Sequence, residues 1–64
     1  MNIEVIKDRF YRAFKKRDML MTEARVEIGI SYPTLLRFLG DEKINFTTLI
    51  KIDKWADKIL GDNK

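Results

Sequence analysis

Apolar residues at Ile3, Ile6, Phe10, Ala13 and Phe14 recur at the three- and four-residue spacing of a single helix face. The pattern predicts a first helix over about residues 3–17. Asn2 can accept from the orphan amides at its start, and Met1 and Ile6 are spaced for a hydrophobic staple across that cap. Its final Lys15-Lys16-Arg17 suits the negative end of the helix dipole. In the next segment Ala24 and Ile28 lie four apart, Thr22 is a candidate cap, and Gly29 supplies a left-handed stop. A second helix is therefore expected over about 21–28. Ser31 can cap a third, over about 32–39, with Tyr32 and Pro33 in its first turn, where a missing amide costs little. Leu35, Phe38 and Leu39 form its apolar stripe, and Gly40 ends it.

After a polar loop of Gly-Asp-Glu-Lys, Asn45 can cap a fourth helix. Its buried side is expected to hold Phe46, Leu49, either Ile52 or Ile50, Ala56, and Ile59 or Leu60. Trp55 lies beside that stripe, as an edge of the core or as a contact for a partner. Residues 61–64 read as a frayed tail. No segment alternates as a strand would, so the fold class is all-α, a four- to five-helix bundle in one domain spanning residues 1–64.

A chain of 64 residues buries only about 60 % of the surface its unfolded form exposes, which favours close helix-on-helix packing. The absence of Cys and His excludes disulfides, thiol nucleophiles and the usual zinc ligands. The charged N-terminus does not read as a secretory signal, and no apolar run approaches the ~20 residues of a membrane span. A soluble, cytoplasmic protein is expected, with no membrane partner.

Net charge is +3, from 13 basic and 10 acidic residues. The excess concentrates in the first helix, where Lys7, Arg9, Arg12, Lys15, Lys16 and Arg17 stand against Asp8. Such a cluster suits a polyanion, and equally suits a solvated helix face. Lys51, Lys54 and Lys58 alternate with acids and read as a solvated face. Catalysis is not expected: no pair of Asp, Glu, Lys, Tyr or Ser is placed for acid–base work, and Ser31 has no base partner. The polar Ser, Thr and Asn positions are explained as helix caps. Neither a metal, a cofactor nor a small-molecule substrate is implied.

Two short helices joined by Gly29-Ile30-Ser31 make a helix-turn-helix pattern. Gly29 permits the positive dihedral of the turn, Ile30 plugs the angle between the helices, and Ala24 lets them approach. With Leu35 and Phe38 anchoring the third helix, its opposite face is left free, and a DNA major groove admits a helix of this size.

At these residues the chain resembles the lambda-repressor-like helix-turn-helix family, the Cro/C1 or XRE type. The resemblance is carried by GISYPTLLRFL, by INFTTLIKI, and by the spacing Ala24…Ile28-Gly29-Ile30, and it runs from about Thr22 to Ile52. It implies base reading by Ser31, Tyr32, Pro33, Leu36 and Arg37. It implies phosphate contacts from Met21 and Thr22, from Thr34, and from Lys43, Asn45 and Thr47. The chemistry agrees: Arg37 suits a guanine edge or a phosphate, Leu36 a thymine methyl, and the first amides of the fourth helix a phosphate.

The chain departs from the family at Arg25, where a small residue is usual, and at Asp53, where Ala is common. Arg25 is expected either to snorkel outward or to reveal an offset second helix. The sequence stops near Lys64, about where the family's fifth helix begins, so a homodimer on DNA is left open.

The function so implied is a sequence-specific double-stranded DNA-binding transcriptional regulator, a repressor of phage or mobile-element type. The alternative is a protein-interaction module on the same fold, antirepressor, antitoxin-like or adaptor, motivated by Arg25, Leu36 and Trp55. A third reading is non-specific nucleic-acid binding through Lys15, Lys16 and Arg17.

Overall fold

The computed structural model describes residues 2–61; the expected staple through Met1 and the tail beyond Gly61 lie outside the described residues. Four helices follow one another: α1 (Ile3–Arg17), α2 (Met21–Ile28), α3 (Tyr32–Leu39) and α4 (Phe46–Leu60). The described residues contain no strand, and the fold is all-α. None of these helices is long and apolar enough to cross a membrane.

Helix starts follow the capping chemistry, with one correction. Asn2 Oδ1 accepts from the Glu4 amide at 2.9 Å, Ser31 Oγ from the Thr34 amide at 3.3 Å, and Asn45 Oδ1 from the Thr48 amide at 3.0 Å. Thr22 is not a cap. It lies inside the first turn of α2, which follows Leu20, an extended residue with no side-chain acceptor. The Glu23 carboxylate reaches back instead and accepts from the Leu20 amide at 2.8 Å, so one residue three positions into the helix does part of the work a cap would do.

Left-handed residues close α1, α2 and α4, whereas Gly40 closes α3 at φ −89°. Asp18 closes α1 at φ 49°, donating its amide to the Phe14 and Lys15 carbonyls. Gly29 closes α2 at φ 90°. A Cβ built on Gly29 would meet nothing within 4 Å, so the requirement there is the backbone angle alone. Gly29→Ala is accordingly expected to cost about 1–2 kcal/mol, the penalty of a side chain in left-handed backbone, and a urea melt checks it.

The core is built from Ile6, Phe10 and Ala13 of α1, Ala24 and Ile28 of α2, Leu35 and Phe38 of α3, and Ile52, Trp55 and Ala56 of α4. Phe10 is its hub, with its ring stacked on Phe14 and meeting Phe38 edge-on, and Trp55 tilted against it. Two sequence expectations for α4 need correction. Phe46 is 60 % exposed, because it sits six residues before Ile52 and about a third of a turn out of phase with it. Trp55 is a core residue rather than an edge. Of the alternatives, Ile52 is fully buried and Ile50 only half-buried, while Ile59 and Leu60 are both half-buried.

Candidate nucleic-acid interface

The α2–α3 joint is held by one carbonyl. Arg25 O accepts from both the Gly29 amide at 2.9 Å and the Ile30 amide at 3.0 Å, and the half-buried Ile30 side chain packs against the core. Arg25 itself is half-buried, and α2 occupies the expected residues, so the offset-helix alternative falls.

From that joint, the burial of Leu35 and Phe38 fixes the orientation of α3. Ser31, Tyr32, Pro33, Leu36 and Arg37 are all exposed. Positions 32, 33, 36 and 37 form one stripe on the side opposite the anchors. Arg37 makes no ion pair among the described residues, so its five donors face solvent. Leu36, 46 % exposed beside it, puts an isobutyl group on the same surface.

The residues expected to meet phosphates are less uniform. Thr22, Lys43, Asn45 and Thr47 are exposed, at the start of α2 or in the approach to α4 and its first turn. The amides of Phe46 and Thr47 have no intrahelical acceptor, as at any helix start. Met21 is half-buried against the core, leaving its backbone as the polar group it can offer. Thr34 is half-buried as well, and its hydroxyl lies 2.7 Å from Ser31 Oγ within the α3 cap.

The basic cluster of α1 is largely committed inside the molecule. Lys7 pairs with Asp41, whose hydrogen bond raises the ammonium above its ordinary value while desolvation opposes that shift. Arg9 pairs with Asp53 at 3.4 Å and with Asp57, and Arg12 with Asp8 at 3.4 Å. Lys16 donates to the Ile59 carbonyl at 3.2 Å, and Arg17 pairs with Glu27 at 2.9 Å. Lys15 alone of the six has no such partner among the described residues. Asp53 is thereby explained as a partner for Arg9.

No family model, curated protein or solved structure matches the chain. The resemblance to helix-turn-helix regulators therefore rests on the residues named above.

Sequence reasoning missed two features. Glu27 accepts at one oxygen from Arg17 and at the other from Trp55 Nε1, 3.1 Å away, joining the end of α1 to α2 and α4. Separations of 10 and 28 residues leave no local signal for such a clasp. The second is the α4 lysines. Asp53 and Asp57 turn toward Arg9, so the acids that alternate with Lys51, Lys54 and Lys58 along the chain do not alternate with them on the surface. A helical wheel separates the two sets, and that signal was available in the sequence.

Proposed function

We propose that the protein is a sequence-specific double-stranded DNA-binding regulator of the lambda-repressor-like helix-turn-helix type, acting in the cytoplasm as a repressor of phage or mobile-element kind. The observation that carries this reading is the outward face of α3. It presents Tyr32, Pro33, Leu36 and Arg37 to solvent, with Leu35 and Phe38 locking the helix from behind. An exposed, anchored helix is what the major groove admits. Arg37 supplies a fork for guanine or phosphate, and Leu36 apolar contact for a thymine methyl. The helix starts at Thr22 and at Asn45–Thr47 would grip phosphates on either side of that groove. A homodimer would read two half-sites about one turn of DNA apart.

Selection of bound duplexes from a random pool tests the reading. The wild-type protein is expected to enrich one motif, and Arg37→Ala is expected to relax it at one position while costing about 1–3 kcal/mol on the selected site. Tyr32→Ala, measured alongside, reports the start of the helix. Unaltered affinity and selectivity in both variants would remove α3 from this role.

A protein-interaction module on the same fold is the second reading, favoured by the exposure of Leu36 at 46 % and Phe46 at 60 %. The salt dependence of binding separates the two. Phosphate contacts weaken steeply as salt rises, with a slope of about −0.9 per phosphate on a log–log plot, whereas a mainly apolar contact does not.

A further inference from the structure

Lys51, Lys54 and Lys58 stand exposed on one flank of α4, spanning about 10 Å of helix axis. None makes an ion pair among the described residues, while the α4 acids on the other flank, Asp53 and Asp57, are taken up by Arg9. The three lysines border a shallow groove of about 270 Å3 between α2 and α4, whose other lining residues are Glu27, Ile28 and Trp55. Glu27 is the one acid in it, and its two oxygens already accept from Arg17 and Trp55. The groove thus has a cationic rim and a narrow apolar floor, where Ile28 and Trp55 keep 8 % and 6 % of their surface exposed, and its single carboxylate is committed.

We infer that this groove docks an acidic segment of a protein partner, with carboxylates on the lysines and an aliphatic side chain over Ile28 and Trp55. The volume falls below the ~300–1,000 Å3 of small-molecule pockets and suits one or two side chains. A rigid duplex would reach the rim and leave the floor unused. The groove runs away from the proposed phosphate contacts: Lys51 lies about 6 Å along α4 from Thr47, Lys54 about 10 Å and Lys58 about 16 Å, while Glu27 and Ile28 end α2, whose start would hold a phosphate. The assignment stands independently of the DNA reading.

Fluorescence anisotropy at low salt tests it, with a labelled Glu-rich peptide carrying two leucines, the same peptide with Gln for Glu, and a random-sequence duplex. The wild-type protein is expected to bind the Glu peptide and shift the emission of Trp55, the one tryptophan of the chain. The Gln peptide is expected to bind about tenfold or more weaker. Lys51→Glu/Lys54→Glu/Lys58→Glu should lose at least about tenfold for the Glu peptide, and Arg37→Ala should bind it as the wild type does. Should the charge-reversed triple fail to fold by circular dichroism, the triple Lys→Gln variant carries the comparison. The inference is overturned by absent peptide binding, by a triple variant with wild-type affinity, or by displacement of the peptide by the duplex. It is equally overturned if sedimentation finds a dimer that the triple variant dissociates, which would give the surface to a second copy of the chain.

Discussion

Replacing Phe10 by Ala is expected to abolish most of the folded population in mild denaturant. Phe10 is fully buried, and its ring centroid lies 5.6 Å from Phe14, 5.9 Å from Phe38 and 5.5 Å from Trp55. It is where α1, α3 and α4 share one aromatic cluster. Truncating such a ring costs about 3–5 kcal/mol, from lost transfer energy and from a cavity that rigid neighbours cannot close. Domains hold about 0.05–0.15 kcal/mol per residue, roughly 3–10 kcal/mol for a chain of 64. The loss is therefore comparable with the whole stability. Thermal melts should drop by at least about 12 °C, given about 4–8 °C per kcal/mol at this size. Phe46→Ala is the comparison that isolates burial from ring chemistry. It removes the same ring from a position 60 % exposed and should shift the melt by little. Equal shifts in the two variants would mean that the core does not centre on Phe10. Because Leu35 and Phe38 orient α3 through the same cluster, the Phe10 variant should also lose the proposed DNA binding in proportion to its unfolded fraction.

The four helices were legible because the punctuation is chemical and local. Asn2, Ser31 and Asn45 each supply an acceptor within three residues of the amide that uses it. Gly29 marks a backbone angle that only a few residues tolerate. The bounds of α2 match the expected 21–28, but its cap is not Thr22, for the opposite reason. Leu20 offers nothing, Thr22 looks like a cap, and the true device is the Glu23 side chain folding back. The apolar pattern gave little help there, since Leu20 and Val26 are 68 % and 61 % exposed. Phe46 and Trp55 show the limit of periodicity near a stripe's edge: about a third of a turn from Ile52 leaves Phe46 in water, and about a sixth leaves Trp55 in the core.

The outward face of α3 was legible by subtraction. In an eight-residue helix, the two anchors dictate which residues remain outside. Charge was the hardest feature to read. Lys7–Asp41, Arg9–Asp53 and Arg17–Glu27 join residues that only the tertiary fold brings together. A cluster that looks like a polyanion surface in one dimension is therefore mostly neutralised in three. Arg37 and the α4 lysines carry cationic surface that these pairs leave uncompensated.

Arg9→Met is expected to destabilise the protein by about 1–3 kcal/mol while leaving duplex affinity unchanged in the folded fraction. The Arg9 guanidinium lies against Asp53 and Asp57, with the three side chains 21 %, 33 % and 28 % exposed. Met keeps the aliphatic stem that packs between α1 and α4, so the substitution isolates the charge. What it leaves behind is two carboxylates four residues apart on one helix face, repelling each other in a partly desolvated seam. Removing one partner of a fully buried pair costs about 3–5 kcal/mol, and water reaching this seam lowers the figure. Added salt should narrow the gap to wild type, since it screens the repulsion in the variant and the attraction in the parent. Arg9→Met/Asp53→Leu/Asp57→Leu should recover most of the loss, because an apolar seam of similar volume needs no charge compensation. If Arg9→Met melts with the wild type, the seam is held by apolar packing alone. The unchanged duplex affinity separates this arginine from Arg37: one is a cation consumed by the fold, the other a cation the fold leaves available.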